Sequence, residues 1–220
     1  MVCTVFYSCK KEEPDTEAQS AIDNSICEGE FTRIGPVINE YAINQQGIRS
    51  GCPAVTADTI LRTMEFDYGT AGCQDTDEKQ RKGKITAKFS GKWNTVNSTV
   101  TIKLQNYQVE NRYYACDSIV IKRNSSISYT TSIIRGKCWT NDWNLEWAGT
   151  RTMTQIGGAG DLIADNDIFE FSGNANGRNR KGKTYTVTIS IPIQKKASCK
   201  WIDKGRLDLT PEGLAARTID

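Results

Sequence analysis

Cysteine carries most of the chemistry open to this chain, because histidine is missing: there are eight cysteines and no histidine in 220 residues. Without an imidazole there is no Ser-His-Asp or Cys-His catalytic unit and no histidine-ligated metal. The commonest general base near neutral pH is also gone. No two cysteines form a CxxC pair, which argues against zinc ribbons and thioredoxin-like sites. The other candidates are aromatic and acidic. Trp143, Leu145 and Trp147 alternate on one strand face, with Trp139 nearby. That pattern suits a platform for stacking sugars or an aromatic core, and Leu145 between the rings favours the core. Asp161, Asp165 and Asp167 follow Gly157-Gly158-Ala159-Gly160 and form a candidate metal group. Their spacing departs from the alternating ligands of an EF-hand loop, so a solvated loop is the default. No pair of carboxylates stands out for glycoside hydrolysis, which needs no fixed spacing.

Cys9 differs from the other cysteines in its surroundings. Val5-Phe6-Tyr7-Ser8 lead into it, and Lys10-Lys11-Glu12-Glu13-Pro14-Asp15 follow. An apolar run ending in a small residue before a cysteine, with charge directly after, resembles the lipobox of bacterial lipoproteins. There the preceding residues are removed and the cysteine is acylated, so the resemblance implies Cys9 as the lipidation site. Residues 1–8 hold no Lys or Arg and are expected to be the remnant of a signal peptide. The alternative is a short apolar strand with an ordinary thiol. Each buried CH2 contributes about 0.8 kcal/mol, so the three acyl chains implied by the resemblance make a permanent tether to the membrane.

Residues 10–30 hold seven acids and two lysines, a charge of −5, which leaves +7 for the rest of a chain whose net is +2. The basic residues are scattered along the body rather than massed, so no nucleic-acid partner is expected. No apolar run approaches the roughly 20 residues of a membrane-spanning helix, and no cofactor is implied.

From Asp15 to Cys27 the sequence fits a short helix. Asp15 caps it, and Ala18, Ala21, Ile22 and Ile26 share one face. Residues 31–61 carry breakers at Gly35-Pro36 and Gly51-Cys52-Pro53, with Val37-Ile38 and Tyr41-Ala42-Ile43 suggesting a short strand or loop between them. Beyond residue 62, alternating segments recur at 84–89, 99–104, 118–122, 128–133, 143–147, 168–171 and 184–191. Threonine, serine and lysine mark one face; Val, Ile, Phe and Tyr mark the other. Short links join successive segments, which predicts antiparallel hairpins in a meander. The expected fold is all-β, a β-sandwich or curved sheet with a short N-terminal helix. Residues 9–30 are tether and helix, and 31–220 a β domain with two related halves.

Arg-Lys-Gly-Lys occurs twice, at 81–84 and 180–183. It reads as a hairpin turn with Gly in the left-handed position, or as a polyanion-binding motif. A fainter echo relates residues 62–69 to 216–220. The second copy stops where the first continues, so a truncated C-terminus is expected. Cys52 precedes and Cys73 follows the strand at 62–69, which predicts a Cys52–Cys73 disulfide. Cys116 and Cys138 flank a hairpin, which predicts a second. Cys199 is expected to be unpaired, and Cys27 has no predicted partner.

The lipobox with its Lys-Glu-Glu sequel resembles envelope lipoproteins of the Bacteroidetes. So do Asp67-Tyr68-Gly69-Thr70-Ala71-Gly72-Cys73, residues 143–152 and the Asn179-Arg180-Lys181-Gly182 hairpin. Together they are similar to a group of uncharacterised β-rich surface lipoproteins of that phylum. The resemblance implies an outer-membrane, lipid-anchored protein facing the exterior. Its non-catalytic β body would serve adhesion or the binding of a glycan or protein ligand. The alternative is a glycan-binding or glycan-processing part of a polysaccharide-uptake system.

Overall fold

The computed structural model describes residues 17–44, 51–161, 163–199 and 201–220. Cys9 and Asp15 lie outside them. Among the described residues one α-helix, α1 (Gln19–Asn44), is followed by thirteen strands. They are β1 (Ala54–Asp58), β2 (Thr63–Asp67), β3 (Cys73–Gln74), β4 (Gln80–Phe89), β5 (Thr99–Val109), β6 (Arg112–Ala115) and β7 (Ser118–Arg123). Then come β8 (Ser128–Trp139), β9 (Asn144–Gly157), β10 (Ile168–Arg178), β11 (Thr184–Lys196), β12 (Lys204–Pro211) and β13 (Arg217–Ile219). All pair antiparallel in one sheet ordered β1-β2-β4-β5-β6-β8-β9-β10-β11-β12-β13. β3 pairs with β4, and β7 lies between β5 and β8. The expected meander is thus present as a single sheet, covered on one face by the helix rather than by a second sheet.

The period-two pattern is clearest in parts of β4, β5, β7 and β11. In β5, Val100 and Ile102 are fully buried while Thr101 and Lys103 face water. Buried side chains from α1 and from β1 through β12 form one continuous core. The helix crosses the strands. Asn179, after β10, meets Ser20 near its start, and Phe66 of β2 packs edge-on against Tyr41 near its end. At 1.5 Å per residue its 26 residues span about 39 Å, enough to cross about eight strands spaced roughly 4.8 Å apart.

The helix departs from expectation in length and in orientation. It does not stop at Cys27, so the expected boundary at residue 30 falls inside it, and Val37, Ile38 and Tyr41 are helical. Among the described residues Glu17 caps the first turn, accepting from Ser20 N at 2.9 Å. The buried face is not the expected one: Ile22 is half exposed, while Ser20, Asp23, Asn24, Cys27 and Glu30 point inward. Phe31, Ile34, Ile38 and Tyr41 continue that stripe at three- and four-residue spacing. Gly35 and Pro36 are tolerated because tertiary contact outweighs propensity. A Cβ on Gly35 would stand 3.2 Å from Thr131 Oγ1, so its bare backbone lets the helix sit close to β8.

Cys52 and Cys73 are bridged, with Cα atoms 5.7 Å apart, as the strand geometry predicts. The closed loop is worth up to about 3 kcal/mol in the chain-entropy view. The expected Cys116–Cys138 bond is absent, and both are free thiols, as are Cys27 and Cys199. The register explains why. Cys138 pairs across the ladder with Tyr114, whereas Cys116 lies in the link between β6 and β7. Cys138 instead meets Cys27 of the helix in the core. The Cys27 thiol is raised well above its usual range, first by its hydrogen bond with Cys138 and then by burial.

The two Arg-Lys-Gly-Lys copies have different structures. The second makes the β10–β11 hairpin turn, with Gly182 N donating to Asn179 O at 2.8 Å and Gly182 at φ 79°. The first is not a turn but a bulge inside β4, where the register with β5 shifts between Lys82 and Lys84. Gly83 is obligatory there: its φ is 82°, and a Cβ would lie 2.2 Å from Asn106 O.

Candidate functional site

Four arginines of the sheet side each hold one acid of the N-terminal segment. Arg217 meets Glu17 at 3.5 Å, Arg180 meets Asp23 at 2.6 Å, Arg151 meets Glu28 at 2.6 Å and Arg81 meets Glu30 at 3.1 Å. Both repeated motifs therefore dock the helix through their arginine. Trp147 Nε1 adds a bond to Asn24 Oδ1 at 2.8 Å, and Trp93 Nε1 one to Asn39 Oδ1 at 2.8 Å. Around Arg81 the contacts condense into a buried network. Tyr107 Oη donates to Glu30 Oε1 at 2.6 Å, Tyr68 Oη donates to Asp75 Oδ2 at 3.2 Å, and Arg33 pairs with both Glu30 and Asp75. Burial would lower Arg81, but Asp77 and Glu30 outweigh it, and its pKa is raised. Burial pushes Tyr68 up to about 12. With Arg81 fully buried and Glu30 4% exposed, this cluster is a clamp rather than a place for substrate.

The face away from α1 carries a different arrangement. Lys82 of β4 pairs with Gln108 of β5, Gln108 with Tyr113 of β6, Tyr113 with Trp139 of β8, and Trp139 with Asn144 of β9. These direct cross-strand neighbours form a lateral row, each step about 4.8 Å. Their chain neighbours Arg81, Val109, Tyr114, Cys138 and Leu145 are all buried on the helix side, so alternation places the row on the opposite face. Tyr113 and Trp139 stack with centroids 5.5 Å apart and planes at 18°, and Tyr113 is 38% exposed.

Beside the row is a cavity of about 720 Å3, lined in part by Lys82, Gln105, Asn106, Gln108, Tyr113 and Trp139. Its origin is topological. β5 pairs with β7 through residues 99–102 and with β6 through Gln108 and Val109. Residues 103–107 therefore have no strand partner on that side, in the middle of the sheet.

The tryptophans do not form one platform. Trp147 is 2% exposed and stacks on Phe31 in the core. Trp143 is half-buried, with the Arg180 guanidinium 4.3 Å from its ring centre. Only Trp139 belongs to the open face. Its partner Tyr113 escapes a reading of the sequence because β6 is four residues long and pairs with Trp139 only through the register.

The acids after the glycine-rich stretch are also separated. Asp161 accepts from Ile163 N and Asn166 Nδ2, and Asp167 accepts from Gln155 Nε2 of β9. Asp165 sits in the 3-10 turn Ala164–Asn166. Among the described residues no group of three or more His, Cys, Asp or Glu is gathered to hold a metal. No helix among them is long and apolar enough to cross a membrane. No protein-family model, curated protein or solved structure matches the chain.

Proposed function

We propose that this chain is a surface lipoprotein, anchored in the outer membrane through Cys9, whose non-catalytic β body binds glycan on the row Lys82-Gln108-Tyr113-Trp139-Asn144. The observation that carries the binding reading is the Tyr113–Trp139 stack bordering the 720 Å3 cavity. Sugar rings pair an apolar face with a rim of hydroxyls. An aromatic anchor takes the first; amides and an ammonium take the second. The anchor reading is supported by Val5-Phe6-Tyr7-Ser8-Cys9 and the Lys10-Lys11-Glu12-Glu13 sequel.

Soluble polysaccharides titrated against the protein are expected to change tryptophan fluorescence without being degraded. Trp139→Ala and Tyr113→Ala should each weaken that binding about tenfold or more, the loss typical of an aromatic anchor. Unchanged affinity in both variants rejects the row, and release of reducing ends rejects the non-catalytic reading. Metabolic labelling with a palmitate analogue should tag the protein, and Cys9→Ala should abolish the tag. Equal labelling of the variant would sink the anchor.

A further inference from the structure

On the helix side, α1 leaves part of the sheet uncovered. Gly29, Thr32 and Pro36 form one wall of a cavity of about 570 Å3. Met153 of β9, Phe171 of β10, and Ile189 and Ile193 of β11 form the facing walls. The size suits a small-molecule site, as does a mostly apolar lining with few polar groups. Ile202 also lines it while remaining 63% exposed, so apolar surface continues to the mouth.

The polar groups point to the ligand's charge. Arg151 lines the cavity and is only 5% exposed. Its Nε donates to Glu28 at 2.6 Å and its Nη1 to Thr150 O at 3.1 Å, but its buried Nη2 has no partner. A buried guanidinium nitrogen left without an acceptor is unfavourable, and a ligand oxygen would answer it. Glu28 already matches the charge of Arg151, and Glu30, Asp75 and Asp77 together match Arg33 and Arg81. Lys195 also lines the cavity and has no ion-pair partner among the described residues. It is the surplus positive charge.

We infer that this cavity binds a single-chain amphiphile with an anionic head, of the fatty-acid class. The chain lies along Met153, Phe171, Ile189 and Ile193, and the carboxylate accepts from Arg151 and Lys195. A carboxylate has two oxygens for two cationic donors, and such charge-assisted bonds are the strong ones. A neutral head would leave the Lys195 charge unanswered. The site is on the opposite face from the aromatic row, so this inference is independent of the glycan reading.

Calorimetric titration of the protein with dodecanoate and with dodecanol tests it. One dodecanoate per chain is expected, bound about tenfold tighter than dodecanol. Ile193→Trp fills the cavity and should remove binding of both. Arg151→Gln combined with Glu28→Gln keeps a neutral hydrogen-bonded pair and should weaken dodecanoate several-fold while leaving dodecanol unchanged. Lys195→Gln, which touches no part of the helix clamp, should weaken dodecanoate several-fold and leave dodecanol unchanged, so the charge is tested even where the double variant does not fold. Equal affinity for the two amphiphiles, or dodecanoate binding indifferent to Ile193→Trp, overturns the inference. So does a protein that ignores dodecanoate yet sediments with phosphatidylglycerol vesicles, which would make the basic, apolar rim a membrane-facing surface.

Discussion

Replacing Arg81 with methionine is expected to destabilise the protein by about 3–5 kcal/mol, the cost of removing one partner from a buried ion network. The Arg81 side chain is fully buried and reaches Glu30 at 3.1 Å, Asp75 at 3.3 Å and Asp77, with Tyr107 Oη 3.1 Å from its Nε. Its loss leaves the buried carboxylates of Glu30 and Asp75 with Arg33 as their cation and the Tyr107 and Tyr68 hydroxyls as their other donors. Urea unfolding followed by far-UV circular dichroism measures the change. Adding Glu30→Leu to Arg81→Met should cost less than the two single losses summed, since the pair is coupled. Additive losses would show that the two side chains act independently.

The same network gives the clamp a pH limit. Asp77 is held down to about 2, first by its hydrogen bond with Arg81. A depressed carboxylate stabilises the fold above its unfolded value near 4 and loses that contribution as pH falls through its folded value. Stability should therefore decline between about pH 4 and pH 2, and Asp77→Asn should flatten the decline. A wild-type slope retained in Asp77→Asn would assign the acid sensitivity elsewhere.

Phe31→Ala is expected to cost a further large amount, about 3–5 kcal/mol for a buried aromatic. Phe31 is fully buried, edge-on to Tyr114 at 5.7 Å and stacked on Trp147 at 6.0 Å. It fills space that Gly136 leaves open: a Cβ there would stand 2.9 Å from the Phe31 ring and 2.7 Å from Trp147 O. Neither neighbour can close the gap without moving backbone. Phe31→Leu should be milder, and equal losses for Ala and Leu would mean that ring stacking, not filled volume, dominates.

The strands could be read from the sequence because their information is local. Val100 and Ile102 alternate with Thr101 and Lys103, and whichever partner a strand finds, period two decides which side is buried. The Cys52–Cys73 bond was readable for a similar reason, since one short strand and its return bring the two together. The helix was only half readable. Its C-terminal stripe is apolar, but Ser20, Asp23, Asn24, Cys27 and Glu30 line the buried face of its first half. A pattern search that places apolar residues inside then selects Ile22 and Ile26 and turns the helix the wrong way.

By itself, then, the sequence determined an all-β meander, one disulfide, the absence of imidazole chemistry, and an acidic segment ahead of a basic body. It left the partner of that acidic segment open, and the tertiary structure supplies it: Glu17, Asp23, Glu28 and Glu30 are answered by arginines of the same chain. Only the structure decided that Tyr113 joins Trp139 on an open face while Trp147 enters the core, and that Cys138 meets Cys27 rather than Cys116. The physical reason is common to all of these. Each depends on register and on which strand lies beside which, and a bulge of one residue, as at Gly83, changes what faces what. Charge and hydropathy are written residue by residue, whereas adjacency across a thirteen-stranded sheet exists only once the chain has closed on its helix.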